Sequence, residues 1–385
     1  MAYHNSVLSQ LLKLLPRLEF EKQANRVDGK RRSDALSRWS QFVALTIGQL
    51  GGRLSLRDIE ATIRSQGEHR YHLGNQSISR SALGRANEQL DYRFYEGLFQ
   101  NLYQRCMSNR RRHGFRFKNK LFSLDASLID VSMKVFPWAN FGRKKSAFKL
   151  HLGLDHDGLI PAFACVTQGK VSDMVQARQL ALPKGSVVVF DKGYNCYRWH
   201  NSLTEKGIFF VSRIRGNAKF RVLERRAVNG CSGITSDQTI EYTALRFDGN
   251  KLKPIRRIGY RDPATGKHYV FISNQFNWSA KTIADIYKQR WQVELFFKWI
   301  KQNLKIKAFL GNTENAVMTQ IMSAMCVYLL LAFLKFQSKI DKSLQQIIRL
   351  LQLNLFARRS LLGLLQPPDQ PGLPPPQLKL SLVRN

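Results

Sequence analysis

Tyr287-Lys288-Gln289-Arg290-Trp291-Gln292-Val293-Glu294-Leu295-Phe296-Phe297-Lys298-Trp299-Ile300-Lys301 is the stretch from which the rest of the chain is read. Ile286, Val293, Phe297 and Ile300 recur at helical spacing, and no Gly or Pro interrupts them, so the pattern predicts one amphipathic helix. Tyr287, Arg290, Glu294, Lys298 and Lys301 then fall three or four residues apart, along one side on successive turns. A lone acid among cations reads blandly as a solvated face with i,i+4 ion pairs. Two Trp, two Phe and a Tyr within the same fifteen residues argue instead for partial burial. An acid held among cations there suits a metal beside phosphates.

The composition narrows the classes. The chain has 385 residues, 44% of them hydrophobic, enough for a large core and two or three domains. Its formal net charge is +34, and such an imbalance opposes compaction and points to a polyanionic partner. With 24 Phe, 12 Tyr and 6 Trp this is a folded protein with a basic surface, unlike a histone-like tail. Cys106, Cys165, Cys196, Cys231 and Cys326 are odd in number, scattered and without a CxxC pair, so neither a disulfide framework nor a zinc site is indicated. A reducing compartment fits, and the first residues lack the order of a signal peptide, so the expected location is the cytoplasm, at the nucleoid. The most apolar run, 316–333, reads as a buried core helix rather than a membrane span.

Residues 1 to about 118 read as helical. Val7, Leu8, Leu11, Leu12 and Leu15 form an apolar stripe that Pro16 stops or kinks. A long helix follows over 33–50, closed by Gly51-Gly52, and Ser55 caps a short one over 56–63. Residues 77–87 have the character of a helix-turn-helix, with Arg80, Arg85 and Asn87 placed to reach base edges or phosphates. An ordinary helical bundle with a basic surface gives the same pattern. Residues 105–120 hold seven Lys or Arg, dominated by Arg110-Arg111-Arg112, which reads as a phosphate-contacting hinge or a solvated linker.

From Leu121 the texture changes. Leu121-Phe122-Ser123-Leu124-Asp125 is a short apolar run ending in an acid, 147–154 and 159–167 alternate as a hairpin about Asp155-His156-Asp157-Gly158, and Ser172 caps a helix. Ser186-Val187-Val188-Val189-Phe190-Asp191 is a β-branched strand that also ends in an acid. A helix over 197–206 and a strand over 208–214 complete a mixed α/β sheet covered by helices. Residues 217–278 break the rhythm as short strands with turns, a β-rich insertion before the helix quoted above. Beyond residue 303 the chain is helical again and ends in a Pro-rich segment. The expected division is a helical DNA-binding domain over 1–118, a catalytic domain over 119–310, a helical C-terminal region over 311–366 that is a candidate for dimerisation, and a Pro-rich tail over 367–385.

Asp125 and Asp191 each close an apolar strand, where an unpaired acid is costly. Two on neighbouring strands, with Glu294 on a helix able to pack over them, make a three-carboxylate cluster of the kind hard divalent ions take. Two Mg²⁺ about 4 Å apart at such a cluster activate water or a 3′-hydroxyl and stabilise the leaving oxygen during attack on a phosphodiester. The surrounding Lys and Arg would hold the substrate phosphates.

These residues resemble the DDE transposases of bacterial insertion sequences, specifically insertion sequence family four. That family's signature of Tyr, two residues, Arg, three residues, Glu, six residues, Lys is met by Tyr287, Arg290, Glu294 and Lys301. Its first two acids match Phe122-Ser123-Leu124-Asp125 and Val189-Phe190-Asp191-Lys192-Gly193-Tyr194, and the likeness extends through Lys149-Leu150-His151-Leu152 and Ser172-Asp173. It covers roughly residues 118–310, and 6–103 resemble the helical N-terminal domain of one branch. The resemblance implies an RNase H-like fold with a β-strand insertion before the third acid. It also implies a dimer on the terminal inverted repeats of double-stranded DNA, cut-and-paste movement through a hairpin, and Mg²⁺ or Mn²⁺ on Asp125, Asp191 and Glu294. Tyr287, Arg290 and Lys301 would contact phosphates near the scissile bond, with Lys298 beside them. Relatives stack a flipped base on a Trp. Trp278 and Trp291 are the nearby candidates, with core packing expected for each. His151 and Asp173 are expected to be satisfied hydrogen-bonding partners near the sheet edge. A plain nuclease or junction resolvase of the same fold, and a non-catalytic repressor of the element, are the rival readings. The Tyr-Arg-Glu-Lys helix and the intact acids argue against them.

Overall fold

One helix that is apolar on every side, Glu314–Gln337, sits at the centre of the architecture, and the segments around it share the core it fills. The computed structural model describes residues 5–29, 36–52, 55–74, 77–110, 112–142, 145–228, 232–243, 246–247, 250–304, 306 and 308–366. The Pro-rich tail and the start of the helix expected from Ser33 fall outside them.

The amino-terminal part is helical: α1 (Val7–Leu12), α2 (Arg17–Asp28), α3 (Arg38–Leu50), α4 (Leu56–Arg64), α5 (Arg80–Gln89) and α6 (Arg93–Asn109). Ser6, Ser37, Ser55 and Ser79 each accept a first-turn N–H of the helix that follows, so the serines in the sequence set the starts. Pro16 separates α1 from α2, and α2 ends at Gly29, whose φ of 67° suits a residue without Cβ.

The sheet follows: β1 (Leu121–Val131), β2 (Asn140–Gly142), β3 (Lys145–Asp155), β4 (Ile160–Gln168), then α7 (Asp173–Gln179), β5 (Val187–Phe190), α8 (Tyr197–Glu205) and β6 (Phe209–Arg213). The insertion supplies β7 (Phe220–Arg225), β8 (Ile234–Tyr242), the small ladder β9 (Arg246–Phe247) and β10 (Asn250–Lys251), β11 (Ile255–Arg261) and β12 (His268–Ser273). The helices α9 (Ala280–Gln289), α10 (Trp291–Asn303), α11 (Glu314–Gln337), α12 (Leu344–Asn354) and α13 (Leu361–Leu365) complete the described chain.

Ten strands form one sheet in the order β2-β3-β1-β5-β6-β12-β11-β8-β7, with β4 also on β3. β1, β5 and β6 run parallel, and β12 pairs antiparallel with β6 through Phe271↔Arg213 and Ser273↔Val211. The inserted strands thus extend the same sheet instead of forming a separate layer. One face of β1 and β3, the helices α3, α6, α10, α11 and α12, and α1 share a single core. α11, long and apolar enough to cross a membrane, has that apolar window entirely buried in protein.

Two local expectations are corrected. Asp125 does not close its strand: β1 runs on to Val131 because its antiparallel partner β3 continues pairing to Ser146, while only the parallel partner β5 stops at Phe190. The predicted single helix over 287–301 is broken at Arg290, where Arg290 N–H bonds Tyr287 O and Val293 N–H bonds Arg290 O in tightened i→i+3 fashion. The physical reason is that the two halves serve different cores. Ile283, Ile286 and Tyr287 pack with Ile258 and Phe271, whereas Val293, Phe297 and Ile300 pack into the core around α11.

Candidate active site

The parallel pair β1–β5 aligns the first two acids. Leu124 and Phe190 are register partners that point into the core under α8, so the next residue on each chain, Asp125 and Asp191, is directed to the opposite face. That face is covered by α9 and α10, which brings Glu294 to the same place. Asp191 begins a short 3₁₀ turn and accepts the Lys192 N–H at 2.6 Å. The Tyr287 hydroxyl donates to Asp191 Oδ1 at 3.4 Å, and its ring rests on Phe271 with centroids 4.8 Å apart.

Arg290 lies among the acids. Its Nη2 is 2.6 Å from Glu294 Oε1 and its Nη1 is 3.7 Å from Asp125 Oδ2, while its buried Nε has no hydrogen-bond partner. Burial pushes the Asp125 carboxyl up to about 6; the Ala126 N–H and the Arg290 guanidinium pull it down, and Glu294 and Asp191 push it up. Asp125 therefore feels the charge of two acids distant from it in sequence. As the side chains lie, no group of three His, Cys, Asp or Glu among the described residues is drawn together tightly enough to hold one ion, and the positive charge in the cluster is the guanidinium. Lys301 bonds Ser127 Oγ and Leu128 O, which pins the end of α10 to β1 just past Asp125. Lys298 is exposed.

The other candidates separate. Arg80 and Arg85 are exposed on α5, but Asn87 is buried and its side-chain carbonyl accepts from Gln41 Nε2 at 2.9 Å, so its side chain faces the helical core. Arg110 pairs with Asp157 at 3.1 Å, Arg112 is exposed, and Arg111 lies outside the described residues. His151 and Asp173 lie across the sheet from the acids: His151 pairs with Ala126, one residue out of phase with Asp125. His151 Nε2 bonds Thr167 Oγ1 at 2.9 Å and Asp173 pairs with Lys149 at 2.9 Å, but the buried His151 Nδ1 has no hydrogen-bond partner, so the expected satisfaction is only partial. Trp278 stacks on Phe117 at 4.2 Å, the expected packing role. Trp291 is not packed: at 55% exposure it stands at the helix break, where the turn between two cores leaves it outside both.

A wall beside Tyr287, most of it without a signal in the local sequence, completes this side of the site. Arg213, Tyr260, Tyr269, Phe271 and Trp291 line a cavity of about 250 Å³ with Tyr287. Tyr260 and Tyr269 are cross-strand partners on either side of the 262–266 turn, a pairing that the hairpin pattern already contained.

Residues 116–330 match the family model described as a transposase DDE domain, and residues 3–76 match a domain of unknown function. The chain is 32% identical to the protein named transposase y4zB of Sinorhizobium fredii, over 68% of this chain and 75% of that one. It is 30% identical to a transposase named for the insertion sequence element IS5377 of Geobacillus stearothermophilus, over 67% of this chain and 68% of the relative. It is also 24% identical to one named for element IS4SA of Synechocystis, over 81% and 86%. The backbone overlays on a piggyBac transposase synaptic complex with hairpin DNA at 12% identity and TM-score 0.46, covering 92% of this chain and 81% of that one, too loosely to carry an argument. The chain belongs to the DDE transposase family.

Proposed function

We propose that this chain is a cut-and-paste transposase of the branch represented by insertion sequence family four. In this reading it binds terminal inverted repeats as a homodimer, cleaves at the element's ends, passes through a hairpin and joins the ends to target DNA in the cytoplasm. The observation that carries the reading is the convergence of Asp125, Asp191 and Glu294 on one face of the sheet around a half-buried guanidinium. In this reading the fold is RNase H-like, a reading supported by the parallel pairing of β1 and β5, with Asp125 on the first strand and Asp191 directly after the second.

Asp125, Asp191 and Glu294 would hold a divalent cation, Mg²⁺ or Mn²⁺. The residues suit it: the donors are all hard carboxylate oxygens, and the pocket already accommodates one cation, the Arg290 head group. A bound divalent ion supplies Lewis acidity, lowering the pKa of a nucleophilic water or 3′-hydroxyl and neutralising charge at the scissile phosphate. The chain's own groups do the rest. Tyr287 fixes the orientation of the Asp191 carboxylate through its hydroxyl. Arg290, with its unpartnered Nε, is suited to leave Glu294 and take a phosphate oxygen in bidentate fashion. Lys298, exposed one turn beyond Glu294, adds a second phosphate contact. Arg80 and Arg85 on α5 contribute to DNA binding outside the site. Lys301 acts by holding α10 in place.

The test is incubation of the full chain with a duplex carrying the element's inverted-repeat ends and Mg²⁺. The reading expects cleavage at the ends, hairpin species and strand-transfer products. Nicked or resolved DNA without strand transfer would favour the nuclease reading, and chelator-insensitive binding with no cleavage under any divalent ion would favour a repressor.

A further inference from the structure

The described residues between α6 and β1 form a loop on which Arg112, Arg116 and Lys118 make no ion pair among the described residues. Its ends approach each other, with the His113 imidazole Nε2 2.8 Å from Asn119 O. Inside it, Phe115 and Phe117 stack at 5.1 Å and 18°, and Phe117 stacks on Trp278 at 4.2 Å and 15°. Trp278 immediately precedes α9, and at the far end of α9 the loop's His113, Gly114 and Phe115 share a cavity of about 340 Å³ with Gln289 and Gln292. The loop is therefore seated along the helix that leads to Arg290 and Glu294.

Exposure alternates along it. His113, Phe115 and Phe117 turn inward, while Arg112, Arg116 and Lys118 are exposed and make no ion pair among the described residues. The neighbouring cations are different: Arg110 is paired with Asp157 at 3.1 Å, and Lys120 lies 3.8 Å from Asp155. The local acids are thus already committed, and among the described residues of the loop three like charges remain unpaired. Like charges held close repel, and a loop that keeps three of them on an aromatic pedestal costs stability that a bound polyanion restores.

We propose that Arg112, Arg116 and Lys118 form a phosphate-docking knob for the DNA backbone, built on the His113–Phe115–Phe117–Trp278 stack and independent of base sequence. The choice of DNA as the polyanion rests on the function proposed above; the existence of the anion site does not. Because the knob sits beside α9, backbone held there lies next to the helix that leads to Arg290 and Glu294.

The experiment compares full-length protein with the triple variant Arg112→Gln, Arg116→Gln, Lys118→Gln. A control triple carries Lys170→Gln, Lys253→Gln and Lys267→Gln, which are exposed lysines elsewhere on the sheet. Affinity for a duplex of arbitrary sequence is measured across a salt series, with thermal melting as a check on folding. The knob variant is expected to melt at or slightly above wild type, to bind on the order of tenfold more weakly, and to lose roughly 2.7 from the slope of log K against log salt, about 0.9 for each of three phosphate contacts. An unchanged slope, or an equal loss in the control triple, overturns the proposal. Because no cleavage is read, failure here is distinct from failure of the transposase reading, and a knob variant that weakens toward polyglutamate as much as toward duplex overturns the assignment to DNA alone.

Discussion

Arg290 is the internal counter-ion of Glu294: its Nη2 stands 2.6 Å from Glu294 Oε1, one helical turn away, while its Nη1 faces Asp125 at 3.7 Å. A guanidinium in that position competes with any divalent ion for the same carboxylates. Arg290→Gln is therefore expected to tighten Mn²⁺ binding by the DNA-free protein, on the order of tenfold, while lowering DNA cleavage because a phosphate ligand is lost. Titration of Mn²⁺ followed by paramagnetic resonance checks the first half. Unchanged affinity would mean that the ion pair does not guard the site.

Lys301 is expected to act on the position of α10 through Ser127 and Leu128. Lys301→Met and Ser127→Ala should each destabilise the fold by about 1 kcal/mol, and the double variant should cost less than the sum, since the two changes remove one shared contact. Chemical denaturation of the four proteins in the cycle measures the coupling. Strict additivity, with a reduced salt slope for DNA binding in Lys301→Met, would instead return Lys301 to the phosphate-contacting role that the signature implies.

Asn87→Ala is expected to destabilise by roughly 1–3 kcal/mol, because Gln41 would be left with a buried amide unsatisfied, and to leave the salt dependence of DNA binding untouched. Arg80→Gln and Arg85→Gln should do the reverse, lowering the salt slope with little change in melting. Melting curves and binding isotherms on the three variants decide between the two behaviours.

The pH response follows from groups pushed in opposite directions. His151 and His156 are held neutral by burial, both down to about 4, so their contribution to stability is complete above about 6.5 and is lost as pH falls toward 4. Asp125, pushed up to about 6, contributes stability below about 3.8 that is lost as pH rises through 6. His200, held down by burial to about 3, sides with the two histidines, and Asp155 and Glu96, raised by burial, side with Asp125, so the histidines' share of stability falls on acidification from pH 6.5 to 4 while the acids' share grows. His156→Gln should flatten that fall, and Asp125→Asn should stabilise the metal-free protein at pH 7 by roughly 1–3 kcal/mol. Melting temperatures across pH 4–7.5 read all three.

Much of this was legible in residues alone. The caps Ser55 and Ser172, the β-branched run Val187–Phe190 and the acids following Leu124 and Phe190 follow from local chemistry that the fold does not override. What local pattern could not supply was partnership. Asn87 looked exposed beside Arg85, but Gln41, far away in the chain, claims it. The helix over 287–301 looked continuous, but its two halves enter different cores. Asp125 looked terminal because the apolar run stops there, whereas β3 keeps pairing with β1 beyond it.

The most direct measurement is cleavage of an inverted-repeat duplex by Asp191→Asn, read beside duplex binding and thermal melting of the same protein. The account predicts that cleavage falls at least a thousandfold in Mg²⁺, on the order expected when a group acting on the reacting centre is removed, while binding and melting stay near wild type. Full cleavage by Asp191→Asn would contradict it.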